Sequence, residues 1–537
     1  MSISTLQRPL GHEPLLHRER DAPGGKQVRP GASPSRAKPP LMQRANLIVA
    51  GLAALAVALV TGIGVATGPM RFDDEGTYVS QAISTLHGAL SPYTYWYDHP
   101  PLGWILLAGW MGGPGALLPS PNPIVTGRYL MVLVAAVSAA LIVLVLRRLG
   151  TSRTAGLVAA LAFGFSPLAV HYHRMVVLDN FAVMFLLAAW LTALTPTRRL
   201  GGAALCGLWL AAAVLCKETL LLVAPFVIWA LWRSRKGGTR AMSMTVFAAT
   251  FLFPCLYYPL FALLKGELFA GPDHVSLWDG VMFQLVSRAG SGSVFDPASN
   301  AHAVVQGWFA SDWYLLAAGA ASAPFLLLRR NGWPLFGAAL VSSVTLLRTG
   351  YLPVPYVIVL LLLAALALGV AIDDIGRWVV AGFRSRRVWA KVAAGAAAVA
   401  LVAGAVTYLP APLARSYERD RVYMTNDFDR PYREASDWLT RHAGTEQTIV
   451  VDNVLWTDLV DRDGRDPSTV IWYTKLGVDP AVSARVPEWD DIDYVVLTEI
   501  MRTGQRAGIL DLALERSTAV ASWGVGSQQV EIRRVNH

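Results

Sequence analysis

The sequence predicts an α-helical polytopic membrane protein of about eleven transmembrane helices, with a C-terminal extracytoplasmic α/β domain. Three observations carry that expectation. Hydrophobic residues make up 54% of the 537 and charged residues only 15%, well under the ~25% of an ordinary soluble domain. Apolar runs recur along the chain with short basic clusters between them. Beyond residue 410 the chain turns less apolar and shows short alternating runs bounded by turn residues.

Taken in order, residues 1–44 are rich in Pro, Gly and Arg and read as a disordered basic cytoplasmic tail. The first apolar run, 45–67, is long enough to span and reads as a transmembrane helix rather than a cleavable signal. Further runs fall near 125–146, 154–170, 180–195, 201–216, 219–232, 241–264, 312–328, 333–347, 351–372 and 389–409. The segment 101–118 is also apolar, but Pro100, Pro101 and the Gly-rich 111–115 favour a helix lying along the surface. With that segment excluded, every second loop is basic. Arg147, Arg148 and Arg153, then Arg198 and Arg199, then Arg233, Arg235, Lys236 and Arg240, then Arg329 and Arg330, then Arg377, Arg384, Arg386, Arg387 and Lys391 all fall on one side. The positive-inside rule makes that side cytoplasmic, with the N-terminus inside and the C-terminus outside a plasma membrane. The body of the protein is then 45–410, with outer loops at 68–124 and 265–311, followed by the domain at 411–537. In that domain 431–443 reads as an amphipathic helix, and 447–453, 492–498 and 529–535 read as strands.

The net charge of +9 belongs to those loop clusters, which argues against nucleic acid as a partner. Cys206 and Cys216 lie ten positions apart on one apolar stretch, about 15 Å along a helix and too far for a disulfide. Cys255 lies in another run, so all three read as small apolar residues.

The chemistry gathers on the predicted outer side. FDDEGTY at 72–78 holds Asp73, Asp74 and Glu75, and YDHPPLG at 97–103 holds Asp98 and His99. Arg174, Lys217 and Arg348 reach the same boundary, with His171, His173, Asp179 and Glu218 nearby. Ionisable side chains are almost absent from mid-span, where ion-coupled transporters place theirs. A positioned carboxylate can deprotonate an acceptor hydroxyl, and the cations can meet the charge of a departing phosphate. A structural alternative stands beside this: the acids cap a helix and sit in its favourable first turn. Glu75, Asp98 and His99 could also hold a divalent cation, though their spacing is no established metal signature. The rival reading overall is a membrane transporter or lipid-handling protein with an extracytoplasmic ligand-binding domain.

FDDEGTY, then YDHPPLG, a Gly-rich surface helix and a span running from Arg128 to Arg147-Arg148 resemble the protein O-mannosyltransferase and aminoarabinose-transferase family of the GT-C superfamily. RMVVLDNFAVMF at 174–185 and CKETLLL at 216–222 fall where that family has corresponding helix exits. The resemblance covers roughly 45–410. It implies an inverting glycosyltransferase that uses a polyprenyl-phosphate-linked sugar donor and a glycan, lipid or protein acceptor. It also implies Asp74 as the catalytic Asp with Glu75 beside it, and Asp98 and His99 as a second acidic site ahead of the double proline. Asp73, Arg174, Lys217 and Arg348 are expected to bind substrate or phosphate. His99 stands where aminoarabinose transferases have Lys, closer to the protein-mannosylating branch.

Overall fold

In the computed structural model, residues 40–537 are described apart from 198, 236 and 409. Most of the expected basic tail lies outside the described residues. Helix α1 is Pro40–Gly62, beginning ahead of the predicted residue 45 with a proline in the first turn, where a missing N–H costs nothing. There follow α2 (Asp73–Leu86), α3 (Leu102–Met111), α4 (Pro123–Arg148), α5 (Arg153–Phe165), α6 (Pro167–Tyr172), α7 (Leu178–Ala193) and α8 (Gly201–Cys216). Next come α9 (Ala224–Ser234), α10 (Thr239–Leu264), α11 (Leu277–Met282), α12 (Asn300–Ser322), α13 (Trp333–Thr345), α14 (Val357–Arg384), α15 (Val388–Tyr408) and α16 (Pro410–Thr425).

The apolar runs are helical, but by length and hydropathy four of the described helices can cross a bilayer unaided: Gln43–Gly62, Pro123–Arg148, Thr239–Leu264 and Val354–Arg384. Several of the other runs are shorter or broken. Helices α7 and α8 have 16 residues each, about 24 Å at 1.5 Å per residue, against a hydrocarbon core of about 30 Å. The run at 154–170 divides at Ser166-Pro167, where the proline opens α6. Helix α12 bends at Asp312, whose backbone leaves helical geometry and whose carboxylate accepts from Tyr314 N at 3.0 Å, capping the second half. Leu52, Leu55 and Leu59 on α1, and Phe253, Leu256 and Leu260 on α10, are exposed. Such apolar surface has lipid as its natural solvent.

After α17 (Arg430–His442) comes a five-stranded mixed sheet with strands β1 (Ile449–Val451), β2 (Val470–Trp472), β3 (Tyr494–Leu497), β4 (Ser517–Trp523) and β5 (Val530–Val535). The order is β2-β1-β3-β5-β4. Strand β1 pairs parallel with β2 and β3, while β5 pairs antiparallel with β3 and β4. Strands β1, β3 and β5 lie where alternation predicted them. Strand β2, three buried residues like β1, is not among the predicted strands. Strand β4 follows a helix and is interrupted by a bulge at Ala519/Ala521, which spoils its period.

This layer is joined to α2 through backbone. Helix α18 (Asn453–Thr457) lies against α2, and Asn453 Nδ2 donates to Asp73 O at 2.8 Å and to Thr77 Oγ1. Gly76 is required here: a Cβ would stand 2.5 Å from Asn453 C and Val454 N. Arg71, fully buried, clasps Asp429 at the start of α17 and reaches Asp458 at 2.9 Å, while Asn122 donates to Asp429 at 2.6 Å. Gly76→Ala is expected to lower stability by about 1–3 kcal/mol, because neither backbone can yield. Gly51→Ala, with no atom within 4 Å of its added carbon, serves as the neutral control in detergent thermal unfolding.

Candidate functional site

The site is built on the first turn of α2. Phe72 is extended, and the helix then opens with Asp73, Asp74 and Glu75 in sequence, three carboxylates where the helix dipole favours negative charge. A helix turns 100° per residue, so the three cannot share a direction.

Glu75 points inward and is wholly buried. Its two oxygens receive Arg128 Nε at 2.8 Å and Nη2 at 2.7 Å, and further bonds come from Val176 N at 3.0 Å and Phe72 N at 3.2 Å. This is a fork-to-fork pair completed by backbone donors. It binds α2 to α4 and to the loop before α7.

Asp74 points elsewhere and, among the described residues, its carboxylate has no hydrogen bond or ion pair. Burial raises its pKa, while Lys217, His99 and Arg288 pull it back and Asp179 adds to the rise. Around it stands an ordered group from three other segments. His99 Nδ1 meets Glu218 at 3.0 Å, and His99 Nε2 meets Lys217 Nζ at 3.0 Å. An ammonium only donates, so Nε2 must be the acceptor and the ring proton lies on Nδ1, toward Glu218. Lys217 also lies 3.8 Å from Asp179, in the first turn of α7. Burial works against the Lys217 charge, but Asp179, Glu218, Asp74 and Asp98 together hold its pKa above the ordinary value. Glu218 is held down at about 2, where burial opposes the charge and His99 and Lys217 overcome it.

Local chain geometry aims these groups. Helix α8 ends at Cys216 and Lys217 is extended, so Lys217 and Glu218 leave the helix face and reach His99. Pro100 and Pro101 keep Asp98 and His99 out of α3. Tyr97 sits in the left-handed region at φ +52, with its hydroxyl donating to Glu267 at 2.6 Å. A side chain held there is a local strain that neighbouring contacts sustain. The segment from α11 onward packs over this loop. A Cβ on Gly280 would lie 2.6 Å from Tyr97 O, and Gln284 Nε2 donates to Asp98 O at 3.4 Å. From that segment Arg288 stacks on the Tyr351 ring at 3.4 Å.

The structure therefore brings together Asp74, Asp98, His99 and Lys217, with Glu218, Asp179 and Arg288 as further members. Asp73 faces the C-terminal layer beside Asn453. Burial, then the charge of Asp74, push it up to about 7. Arg174 is buried, but it donates to Ile63 O at 2.6 Å and Tyr423 O at 3.1 Å, away from Asp74. Arg348 donates to Tyr351 O at 3.1 Å and lines a small cavity with Thr219 and Leu222, at the rim of the group. The cation site considered for Glu75, Asp98 and His99 does not assemble. Glu75 is consumed by Arg128 and His99 Nε2 by Lys217, and no three His, Cys, Asp or Glu side chains among the described residues are placed to hold a metal. Sequence alone gave no signal for the pairing of Glu218 with His99, because their approach is set by how α8 packs.

Residues 98–258 match the family model described as dolichyl-phosphate-mannose-protein mannosyltransferase. That segment carries Asp98, His99, Asp179, Lys217 and Glu218. ArnT from Cupriavidus metallidurans bound to undecaprenyl phosphate superposes with a TM-score of 0.57 at 13% identity, over 91% of this chain and 97% of that one. The chain has the GT-C glycosyltransferase fold. The apo state of the same ArnT gives 0.53 at 15% identity, over 92% and 98%. An Archaeoglobus fulgidus oligosaccharyltransferase in complex with Zn and sulfate gives 0.53 at 13%, over 88% and 71%. No curated protein sequence matches.

The raised Asp73 sets a pH dependence. Unfolded, its pKa is about 3.9; folded, it is about 7. Across that window the folded chain keeps a proton that the unfolded chain has released, so this contribution is full below the unfolded value and lost as pH rises through the folded one. Thermal unfolding across the same window should show Asp73→Asn gaining on the parent as pH rises, with little difference at the acid end.

Proposed function

We propose that the chain is an inverting glycosyltransferase of the plasma membrane, active on the extracytoplasmic side. It moves a sugar from a polyprenyl-phosphate donor to a hydroxyl on a cell-envelope glycan, lipid or protein. One observation carries the reading: Asp74 is a carboxylate with no bonded partner among the described residues, made more basic by burial, with Lys217, His99 and Arg288 near enough to act on its charge. The GT-C fold, the partial match to a mannosyltransferase family and the undecaprenyl phosphate named with the ArnT structure support the class of donor.

In this mechanism Asp74 accepts the proton of the acceptor hydroxyl as its oxygen bonds to the anomeric carbon. The bond from that carbon to the donor phosphate breaks on the opposite face, which inverts the configuration. Lys217 and Arg288, with Arg348 at the rim, meet the charge gathering on the phosphate. Glu218 fixes the His99 tautomer, and His99 in turn fixes the Lys217 ammonium, so the cation is placed before the donor arrives. The prenyl tail has a natural berth in the apolar cavity lined by Val305, Phe309, Leu316, Leu346 and Leu360, which shares Leu346 with the cavity that Arg348 lines. His99 and the placing of the acids on the outer side follow the topology expected from the basic loops.

Purified Asp74→Asn, assayed with a polyprenyl-phosphate sugar, is expected to lose about 10²–10⁴ in kcat, the usual worth of a positioned general base, while still binding the donor. Turnover within a few-fold of the parent removes Asp74 as the base. Cysteine labelling of the loop at 72–78 from outside intact cells tests the sidedness, and failure to label there overturns it.

A further inference from the structure

The C-terminal layer sends one charged side chain toward the acid group. Lys475 lies in the turn that follows β2, and its Nζ stands 3.9 Å from the centroid of the Trp96 ring and 5.8 Å from that of Trp472. Trp96 belongs to the 93–99 loop that ends in Asp98 and His99. Among the described residues the Lys475 ammonium has no hydrogen-bond acceptor and no ion-pair partner.

The acid best placed to neutralise it is already engaged. Asp479 accepts from Trp96 Nε1 at 3.2 Å, Thr94 Oγ1 at 3.4 Å and Ala481 N at 3.0 Å. Asp479 therefore ties the aromatic loop to the layer and leaves the lysine unpaired. Asp98, whose Oδ1 accepts from His99 N at 3.1 Å, is near enough to act on the lysine by charge alone. Burial lowers the Lys475 pKa to about 8, with Asp98 and Asp479 opposing the fall, so the ammonium is charged at neutral pH. Lys475 is half-buried and seated on two indoles beside the loop that carries Asp98, with no acceptor bonded to its ammonium among the described residues, so the head is open to an anionic ligand.

We propose that Lys475, seated on Trp96, recognises an anionic group (phosphate or carboxylate) carried by the acceptor. This rests on the transferase reading and adds to it the chemical class of acceptor. The C-terminal layer then selects the acceptor, while α2 and the segments packed on it perform the transfer.

The test is calorimetric titration of the full chain in detergent with methyl glucoside, its 6-phosphate, methyl glucuronide and inorganic phosphate. The charged glycosides should bind at least about tenfold tighter than the neutral one. Lys475→Met should lose about that factor and Lys475→Arg should keep affinity within about threefold, as expected for truncating a charge that meets a buried anion. Which charged glycoside binds tighter distinguishes phosphate from carboxylate. Asp74→Asn should retain the binding, so failure of this subsite and failure of the catalytic base read out separately. Unchanged thermal unfolding of Lys475→Met shows that the loss is not one of fold. Equal binding of the neutral glycoside, equal binding by Lys475→Met, or inorganic phosphate binding as tightly as the phosphorylated glycoside each overturns the proposal.

Discussion

The Glu75 carboxylate and the Arg128 guanidinium meet in full burial, and the setting of the acidic first turn of α2 follows from them. Two charges taken out of water repay the cost only with good geometry and with their remaining sites bonded. The geometry is good, and Val176 N and Phe72 N complete the carboxylate, while Arg128 Nη1 stays buried without a hydrogen-bond acceptor among the described residues. Removing either partner would strand a buried charge, which costs about 3–5 kcal/mol. The pair fixes both the rotation and the height of α2 against α4. Because Asp74 is the preceding residue on the same turn, fixing Glu75 inward turns Asp74 to another side, within the influence of the Lys217, His99 and Arg288 charges.

The remaining charges follow a similar economy of position. Glu218, His99, Lys217 and Asp179 form a chain in which each group orients the next, and Asp74 stands beside that chain without entering it. A carboxylate bonded to arginine on two oxygens makes a poor base. One that burial has raised and that lies near cations without bonding to them keeps a lone pair for a substrate proton. The adjacent acids thus differ in role through environment alone: Glu75 holds the helix, Asp74 is available, and Asp73 keeps its proton near neutrality against the C-terminal layer.

Much of this was legible in the sequence, and the parts that were not have physical reasons. Hydropathy locates the apolar helices because burial in lipid demands it. It cannot say where a run breaks, since Ser166-Pro167 and Asp312 act through local backbone geometry. The acidic trio and the Asp-His pair before two prolines stand out as excess ionisable chemistry in an apolar chain. Which of three consecutive acids is free depends on Arg128, fifty-three positions away, and no local pattern encodes that distance. Arg174 looked like one of the cations at the helix exits and proves to be a clasp on two carbonyls. Lys475 drew no notice because it lies in an ordinary soluble-looking stretch; only the packing of β2 against the 93–99 loop gives it meaning. In the sheet, short apolar runs marked β1, β3 and β5, whereas β2 was missed and β4 is bulged.

The close approach of Gly76 to Asn453 has a bearing on how such proteins diversify. A soluble appendage fastened by a flexible tether can be exchanged between relatives as a cassette. Here the appendage is keyed by main-chain atoms to the very turn that carries Asp73, Asp74 and Glu75. Grafting a foreign C-terminal segment onto this membrane body would need a matched first turn of the second helix to travel with it, so change in the appendage and upkeep of that turn are tied to each other.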